Sequence, residues 1–255
     1  MITTKDRAVL PRQATRRLED ILIKHISRFN NLLVGFSISK DLFSLNSGLI
    51  NGKVEALDRQ IENEIYNLIL SYSHYKTEAD EDEEELMAFI LRDRDNGNLV
   101  TLIQKYTERL DQEIEAYIES SLYFDISIAT GLNYLKKDLK NAYRSDFIKR
   151  GYKEIEKPNN IILKSKGMTV KVGEYKTSVA NMKRLAAFTI IEALTFRQKQ
   201  HFKRLGAIGY TSHRGSSYYC PYCDSMTKFY SIDDPTGLPP YHANCYCYIL
   251  PEYKL

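Results

Sequence analysis

Apolar residues recur at spacings of three and four along most of the chain, and this periodicity predicts a mainly helical protein. We place Pro11 in the first turn of a first helix and expect Gly35 to end it. A loop is expected across 36–53, and a second helix from Val54. The acidic run at 78–85 reads as the front of a third helix, because negative charge suits a helix N-terminus.

A second series of helices follows the turn expected at 96–98. One long amphipathic helix is predicted from Leu99 to Leu122, and another after Gly131. The exposed side of the latter is basic and comprises Lys136, Lys137, Lys140, Arg144, Lys149 and Arg150. A solvated surface is its ordinary interpretation, and contact with phosphate is the alternative.

The pattern changes after residue 158. The β-rich segments 161–164 and 168–172 predict a small hairpin. A last long helix is expected from Thr177 or Ser178 to Leu205, before Gly206. The predicted fold class is therefore mainly α, with a multi-helix bundle, a small β-hairpin and a C-terminal Cys/His module that resembles a zinc knot.

All four cysteines lie near the C-terminus. Cys220 and Cys223 form a Cys-x2-Cys pair, and His242, Cys245 and Cys247 form a His-x2-Cys-x-Cys cluster. Two close sets of soft or borderline ligands separated by a loop are typical of tetrahedral zinc. We expect a structural zinc, because four protein ligands leave no position open for a catalytic water.

Five candidate ligands compete for four positions. One set is Cys220, Cys223, His242 and either Cys245 or Cys247; the other is all four cysteines, with His242 beside the ion. We expect Cys245 and Cys247 to reach one ion only if the chain turns between them. Two disulfides or four buried free thiols are the ordinary alternatives, although nothing in the sequence marks secretion.

Length and composition exclude few classes of protein. A chain of 255 residues is long enough for one large domain or two smaller ones, and its net charge of +3 demands no nucleic acid. No signal segment and no apolar run of about 18 residues is found, so we expect a soluble protein without a membrane segment. No phosphate-binding glycine loop or catalytic triad motif points to an enzyme or to a small-molecule substrate.

Further residues surround the Cys/His motif in a fixed order. They are Arg184-Leu185-Ala186, Thr189, Gly206, Tyr210-Thr211, Pro239-Pro240 and Pro251, with Cys-x2-Cys and Pro-Pro-x-His-x2-Cys-x-Cys between them. In this order and spacing the C-terminal third resembles the phage Mu F-like, portal-associated minor head morphogenesis proteins. The chain departs from that pattern at Ile190, Tyr210, Tyr246 and 213–216, and its first ~100 residues lie outside the resemblance.

The resemblance implies a structural, non-enzymatic protein of the phage head. Such a protein is made in the bacterial host cytoplasm, joins the portal protein and the capsid interior in the virion, and acts in head morphogenesis, with contact to packaged DNA during packaging or ejection as a further role. It also implies a head morphogenesis domain at 126–255, which includes the Cys/His module at 206–255, and we expect a separate N-terminal helical region at 1–125.

Two other functions stay open. A zinc-dependent nuclease of the His-Asn-His kind would use His242, Asn244 and His213, with His201 or Asp224 nearby. A zinc-containing nucleic-acid-binding protein would stack bases on aromatic faces. The candidate faces are Tyr218, Tyr219, Tyr222, Tyr230, Tyr241, Tyr246 and Tyr248, which would otherwise pack around the module.

Overall fold

A computed structural model gives the fold of the protein. It describes residues 2–34, 47–75, 82–93, 97–138, 160–165, 168–173, 177–215, 220–242 and 245–254. In these ranges the protein is mainly helical, with a helical bundle, a β-hairpin and a C-terminal module that contains a small sheet. The predicted fold class is confirmed.

In the part of the chain that the structure describes, six helices precede the C-terminal module. They are α1 Thr4–Val34, α2 Ser47–Ser73, α3 Glu83–Leu91, α4 Leu99–Tyr123, α5 Ile128–Asp138 and α6 Ser178–Arg204. One hydrophobic core joins them, and its fully buried residues include Leu18, Leu22, Ile26, Ile61, Ile65, Ile69, Leu110, Ile114, Ile190 and Leu194. Helix α6 packs against α1, α2, α3 and α4, so it is the central element of the bundle.

Side chains cap three of these helices, and the sequence predicted one of the three caps, the one at the start of α6. Asp82 accepts a hydrogen bond from the backbone N–H of Glu85, and Glu83, Glu84 and Glu85 occupy the first turn of α3. Asn98 caps α4 and Thr177 caps α6 in the same way. The front of α3, the long helix α4 and the last long helix α6 are confirmed, while residues 76–81 lie outside the described residues.

Three details of the predicted helices were wrong. Helix α1 begins at Thr4, so Pro11 lies inside it rather than in its first turn. The expected loop across 36–53 is helical from Ser47 onward, because α2 starts there. Gly131 lies within α5 rather than before it, where any larger side chain would overlap Ser121 and the carbonyl of Tyr117 on α4.

The predicted hairpin is confirmed. Strands β1 Asn160–Ser165 and β2 Met168–Gly173 pair antiparallel, with Asn160 opposite Gly173 and Ser165 opposite Met168. The greater part of the predicted basic helix, residues 139–150, lies outside the described residues, as do Gly35 and Asn96.

The C-terminal module contains a three-stranded sheet that the sequence did not predict. Strand β3 Gly209–His213 lies between β4 Phe229–Ser231 and β5 Tyr248–Glu252, and both pairings are antiparallel. A short helix, α7 Pro221–Met226, precedes β4. Phe202 near the end of α6 packs with Tyr210, Tyr230 and Ile249 of the sheet, so the module continues directly from the bundle.

The core crosses the predicted boundary at residue 125, because α4 and α6 share it. The division into 1–125 and 126–255 stays a prediction. Within the described ranges, no helix combines the length and the apolar character that a membrane span requires.

Candidate metal centre

The Cys-x2-Cys pair sits at the start of α7. Cys220 is the residue that caps this helix, and its Sγ accepts a hydrogen bond from the backbone N–H of Cys223 at 3.4 Å. Pro221 occupies the first helical position, where its missing N–H costs nothing. The turn therefore brings both sulfur atoms to one side of the short helix.

The second set of ligands enters from the segment before β5. A turn closed by the hydrogen bond from Cys245 N to His242 O, 3.1 Å, brings His242 next to the cysteines. Cys245 and Cys247 are both buried, whereas Tyr246 between them is exposed. The expected turn between the two cysteines is not needed, and that expectation was wrong, because residues two apart in extended backbone lie on the same face.

The five predicted ligands converge on one buried cluster. The atoms of Cys220, Cys223 and His242 lie within 4.8 Å of one another, and so do those of Cys223, Cys245 and Cys247. Nε2 of His242 is 3.3 Å from Sγ of Cys220 and 3.0 Å from Sγ of Cys223. Cys223 belongs to both groups, and its Sγ is 3.8 Å from that of Cys245.

The cluster could bind a metal ion. All four cysteines are free thiols, so the protein has no disulfide among them. Thiolate sulfur and imidazole nitrogen are the donors that zinc and other soft or borderline cations take.

Proton sharing within the cluster follows from its density. The hydrogen bond between Cys223 and Cys245 raises the pKa of Cys223 and lowers the pKa of Cys245. Cys247 is subject to opposing effects. Its hydrogen bond to Cys223 lowers its pKa, but the hydrogen bond to Cys245 and burial raise it, and the resulting pKa is about 11. A bound cation would take the place of these protons, because metal ligands bind as thiolates.

A buried arginine from the opposite end of the chain touches the cluster. Nη2 of Arg7, on α1, donates to the backbone carbonyl of Cys247 at 2.6 Å, and Arg7 is 5 % exposed. Burial lowers the pKa of Arg7 to about 10, although negative charge on Cys245 and Cys247 opposes that shift. The guanidinium is therefore a cation at neutral pH. Arg7 was not predicted from the sequence, where its only local signal is its position on the buried face three residues before Leu10.

Aromatic side chains pack beneath the cluster. Tyr210 and Tyr230 are buried and stack with ring centroids 5.6 Å apart. Tyr241 lies against the cysteines, and its hydroxyl donates to the carbonyl of Gly237 at 3.0 Å. Tyr222 and Tyr246 are exposed at 38 % and 37 %.

The residues proposed for a nuclease have other partners. The ring of His213 stacks on Tyr248 at 5.4 Å, and Asp224 pairs with Arg214 at 2.8 Å. Among the described residues, neither His213 nor Asp224 nor His201 belongs to a group that could hold a metal ion. Asn244, Tyr218 and Tyr219 lie outside the described residues.

Comparisons of the chain with models of protein families, with curated proteins and with solved structures found no match.

Proposed function

We propose that the protein is a portal-associated minor head protein of a tailed phage, and that its C-terminal Cys/His cluster holds one structural zinc ion. The observation that carries the proposal is the convergence of two separate motifs, Cys-x2-Cys and Pro-Pro-x-His-x2-Cys-x-Cys, on one buried cluster. The first part of the proposal rests on the family resemblance of these motifs, and the second on the donor atoms and their spacing.

Zinc fits the donor atoms of the cluster and the distance between two of its sulfur atoms. Two sulfur atoms bound to zinc at about 2.3 Å with tetrahedral angles lie about 3.8 Å apart. The Cys223 to Cys245 separation is 3.8 Å. We assign the ligands as Cys220, Cys223, His242 and Cys245, because the first three form one close group and Cys245 stands at the tetrahedral distance from Cys223.

The ion would fasten the end of the chain to the bundle. Its ligands come from α7 and from the segment that enters β5, and β5 pairs with β3, which follows α6. Arg7 of α1 would offset the net negative charge of one zinc with three thiolates. A module this small has little core of its own, and a metal supplies the missing stability.

Metal content and thiol count test the zinc site. We expect one zinc per chain by native mass spectrometry, and four reactive thiols after denaturation. Cys223→Ser should lose the ion, because Cys223 belongs to both close groups, whereas Ser225→Ala on the exposed side of α7 should keep it. Loss of zinc in Cys245→Ser but not in Cys247→Ser would support our ligand set, and the reverse would correct it. A purified protein with neither metal nor free thiols would refute the site.

Association with the portal protein tests the proposed role. The full chain is co-expressed with the portal protein encoded in the same genome and analysed by size-exclusion chromatography. We expect co-elution with the portal oligomer and detection of the chain in purified phage heads. The absence of portal and capsid genes from that genome, or elution apart from the portal oligomer, would contradict the role. Plasmid cleavage that is lost in His213→Ala would favour the nuclease instead.

A further inference from the structure

A second group of metal-ligating side chains lies inside the helical bundle. His25 on α1, Asp58 on α2 and Asp111 on α4 each place one ligand atom within 4.8 Å of the others. None of these helices carries a ligand of the Cys/His cluster. The three residues stand 33 and 53 positions apart in the chain, and only the packing of the bundle brings them together.

His25 is fully buried without the hydrogen bonds that a buried imidazole needs. Its side chain is 0 % exposed, and neither ring nitrogen has a hydrogen-bond partner among the described residues. Nε2 points toward Oδ1 of Asp111 at 3.7 Å, which is too long for a hydrogen bond. Burying a polar group without a hydrogen-bond partner is costly in free energy. An atom bound between the His25 ring and the Asp111 carboxylate would remove that cost.

The separation suits two ligands on one ion. Metal bonds of about 2.1 Å at angles near 90–110° hold two ligand atoms roughly 3.0–3.4 Å apart. The 3.7 Å distance needs only a small side-chain adjustment to reach that range. Oδ1 of Asp58 and Oδ1 of Asp111 are also buried without a hydrogen-bond partner in the described part of the chain.

The electrostatic surroundings favour a cation. The ionised groups acting on Asp111 are Glu115, Glu62 and Glu108, all of them acidic. Arg28, which acts electrostatically on His25, is 2.8 Å from Glu64, so that arginine already has a carboxylate partner. Without a cation, burial raises the pKa of Asp58 and the pKa of Asp111 to about 7, and the two carboxyl groups are joined by a side-chain hydrogen bond. The carboxyl groups then keep a proton that a metal would displace.

We propose that His25, Asp58 and Asp111 bind one divalent first-row transition cation of the Mn²⁺, Fe²⁺ and Zn²⁺ class. One imidazole and two carboxylates are borderline and hard donors, which suit these ions and set the site apart from the thiol-rich C-terminal cluster. The ion ties α1, α2 and α4 together inside the bundle. This site is independent of the proposed head function, and either proposal can fail alone.

Manganese separates the two sites experimentally, because Mn²⁺ prefers oxygen and nitrogen donors to thiolates. The full chain, with its C-terminal cluster loaded with zinc, is titrated with MnCl₂ and free Mn²⁺ is read by electron paramagnetic resonance. We expect one bound Mn²⁺ per chain. Asp58→Asn and Asp111→Asn keep the side-chain shape and should each weaken Mn²⁺ binding at least tenfold.

Two control variants test whether the loss of Mn²⁺ binding is specific to the proposed ligands. His74→Asn removes a histidine that lies 3.8 Å from a carboxylate of Glu83 on the exposed side of the bundle, and it should leave Mn²⁺ binding unchanged. Cys220→Ser should likewise leave Mn²⁺ binding unchanged. Equal affinity in Asp111→Asn and the unaltered protein would overturn the proposal.

A measurement on the unaltered protein tests the site even if the variants fail to fold. Pulsed electron paramagnetic resonance detects nitrogen bound to Mn²⁺, and His25 is the one nitrogen ligand of the proposed site. We expect a coupling from a single imidazole nitrogen and a higher melting temperature with Mn²⁺. A zinc-loaded protein that binds no Mn²⁺, or binds it without nitrogen coupling, would refute the site.

Discussion

Replacing Arg7 by methionine asks whether the C-terminal cluster is an anionic metal site. Arg7 is a buried cation whose guanidinium donates to the carbonyl of Cys247 at 2.6 Å and lies beside Cys245. Zinc with three thiolates and one imidazole carries a net charge of −1, which Arg7 would neutralise. Methionine fills a similar volume without charge, so the variant removes the cation and leaves the packing nearly unchanged.

The loss in the free energy of unfolding caused by Arg7→Met differs between the metal-loaded and the metal-free protein. In the loaded form, the variant loses a charge-assisted hydrogen bond worth about 1.5–3 kcal/mol and the attraction between two unit charges, about 3 kcal/mol at 5 Å and an effective dielectric constant of 20. The desolvation cost of burying Arg7 is recovered at the same time. We expect a net loss of about 2–4 kcal/mol. Without metal, the hydrogen bond to the carbonyl of Cys247 is lost as well, but most of the thiols keep their protons, so the loss should be about 1–2 kcal/mol smaller than in the loaded form.

Zinc competition and urea unfolding measure this difference. By linkage, a loss that is about 1–2 kcal/mol larger in the loaded form weakens zinc binding by about 5-fold to 30-fold, which a chromophoric chelator reports. Arg12→Met on the exposed face of α1 is the matched control and should leave both quantities unchanged. The reasoning is refuted if Arg7→Met binds zinc as tightly as the unaltered protein.

Four further substitutions test the bundle. Glu113→Ala should cost about 3–5 kcal/mol in urea unfolding, because buried Glu113 accepts from the N–H and the hydroxyl of Ser178 at 2.9 and 2.8 Å; a loss below 1 kcal/mol would contradict this. Gly131→Ala should cost at least about 2 kcal/mol, because its Cβ would overlap α4. Gly52→Ala has open space around it and should stabilise α2 by up to about 1 kcal/mol. Similar effects at the two glycines would show that the close approach of α5 and α4 is unimportant. Burial raises the pKa of Asp111 from 3.8 to about 7, so the metal-free protein loses stability as pH rises from about 4 to 7. Asp111→Asn should reduce that loss, although buried Asp58 keeps its own part of it, and should be about 1–3 kcal/mol more stable than the unaltered metal-free protein at pH 8 in urea unfolding. An identical pH profile would contradict the buried carboxyl group.

Local patterns in the sequence were enough for most of the bundle. Long helices such as α4 and α6 carry their apolar period within one segment, so periodicity identified both, and a capping residue also marked the start of α6. The start of α1 failed because Pro11 was weighted above the spacing of Leu10, Ala14 and Leu18, which already continues the buried face. A proline inside a helix costs stability, and the packing of that face outweighs the cost.

Features made by distant residues were not predictable in this way. Strand β4 has three residues, too few to show alternation, and β3 finds its partner β5 some forty residues later. The Cys and His ligands were found because their spacing is local. Arg7 was missed because its partner, Cys247, lies 240 residues away. His25 was visible only as a histidine on an apolar helix face, and its meeting with Asp111 depends on tertiary packing.

The central position of α6 determines when the chain can fold during synthesis. The apolar faces of α1, α2 and α4 need α6 to cover them, yet roughly 80 residues separate the end of α4 from the end of α6. At about 5–20 residues per second, a ribosome needs roughly 4–16 s to make that stretch. During that interval the nascent chain exposes hydrophobic surface, so slowing translation between Tyr123 and Arg204 should increase its capture by chaperones and its aggregation.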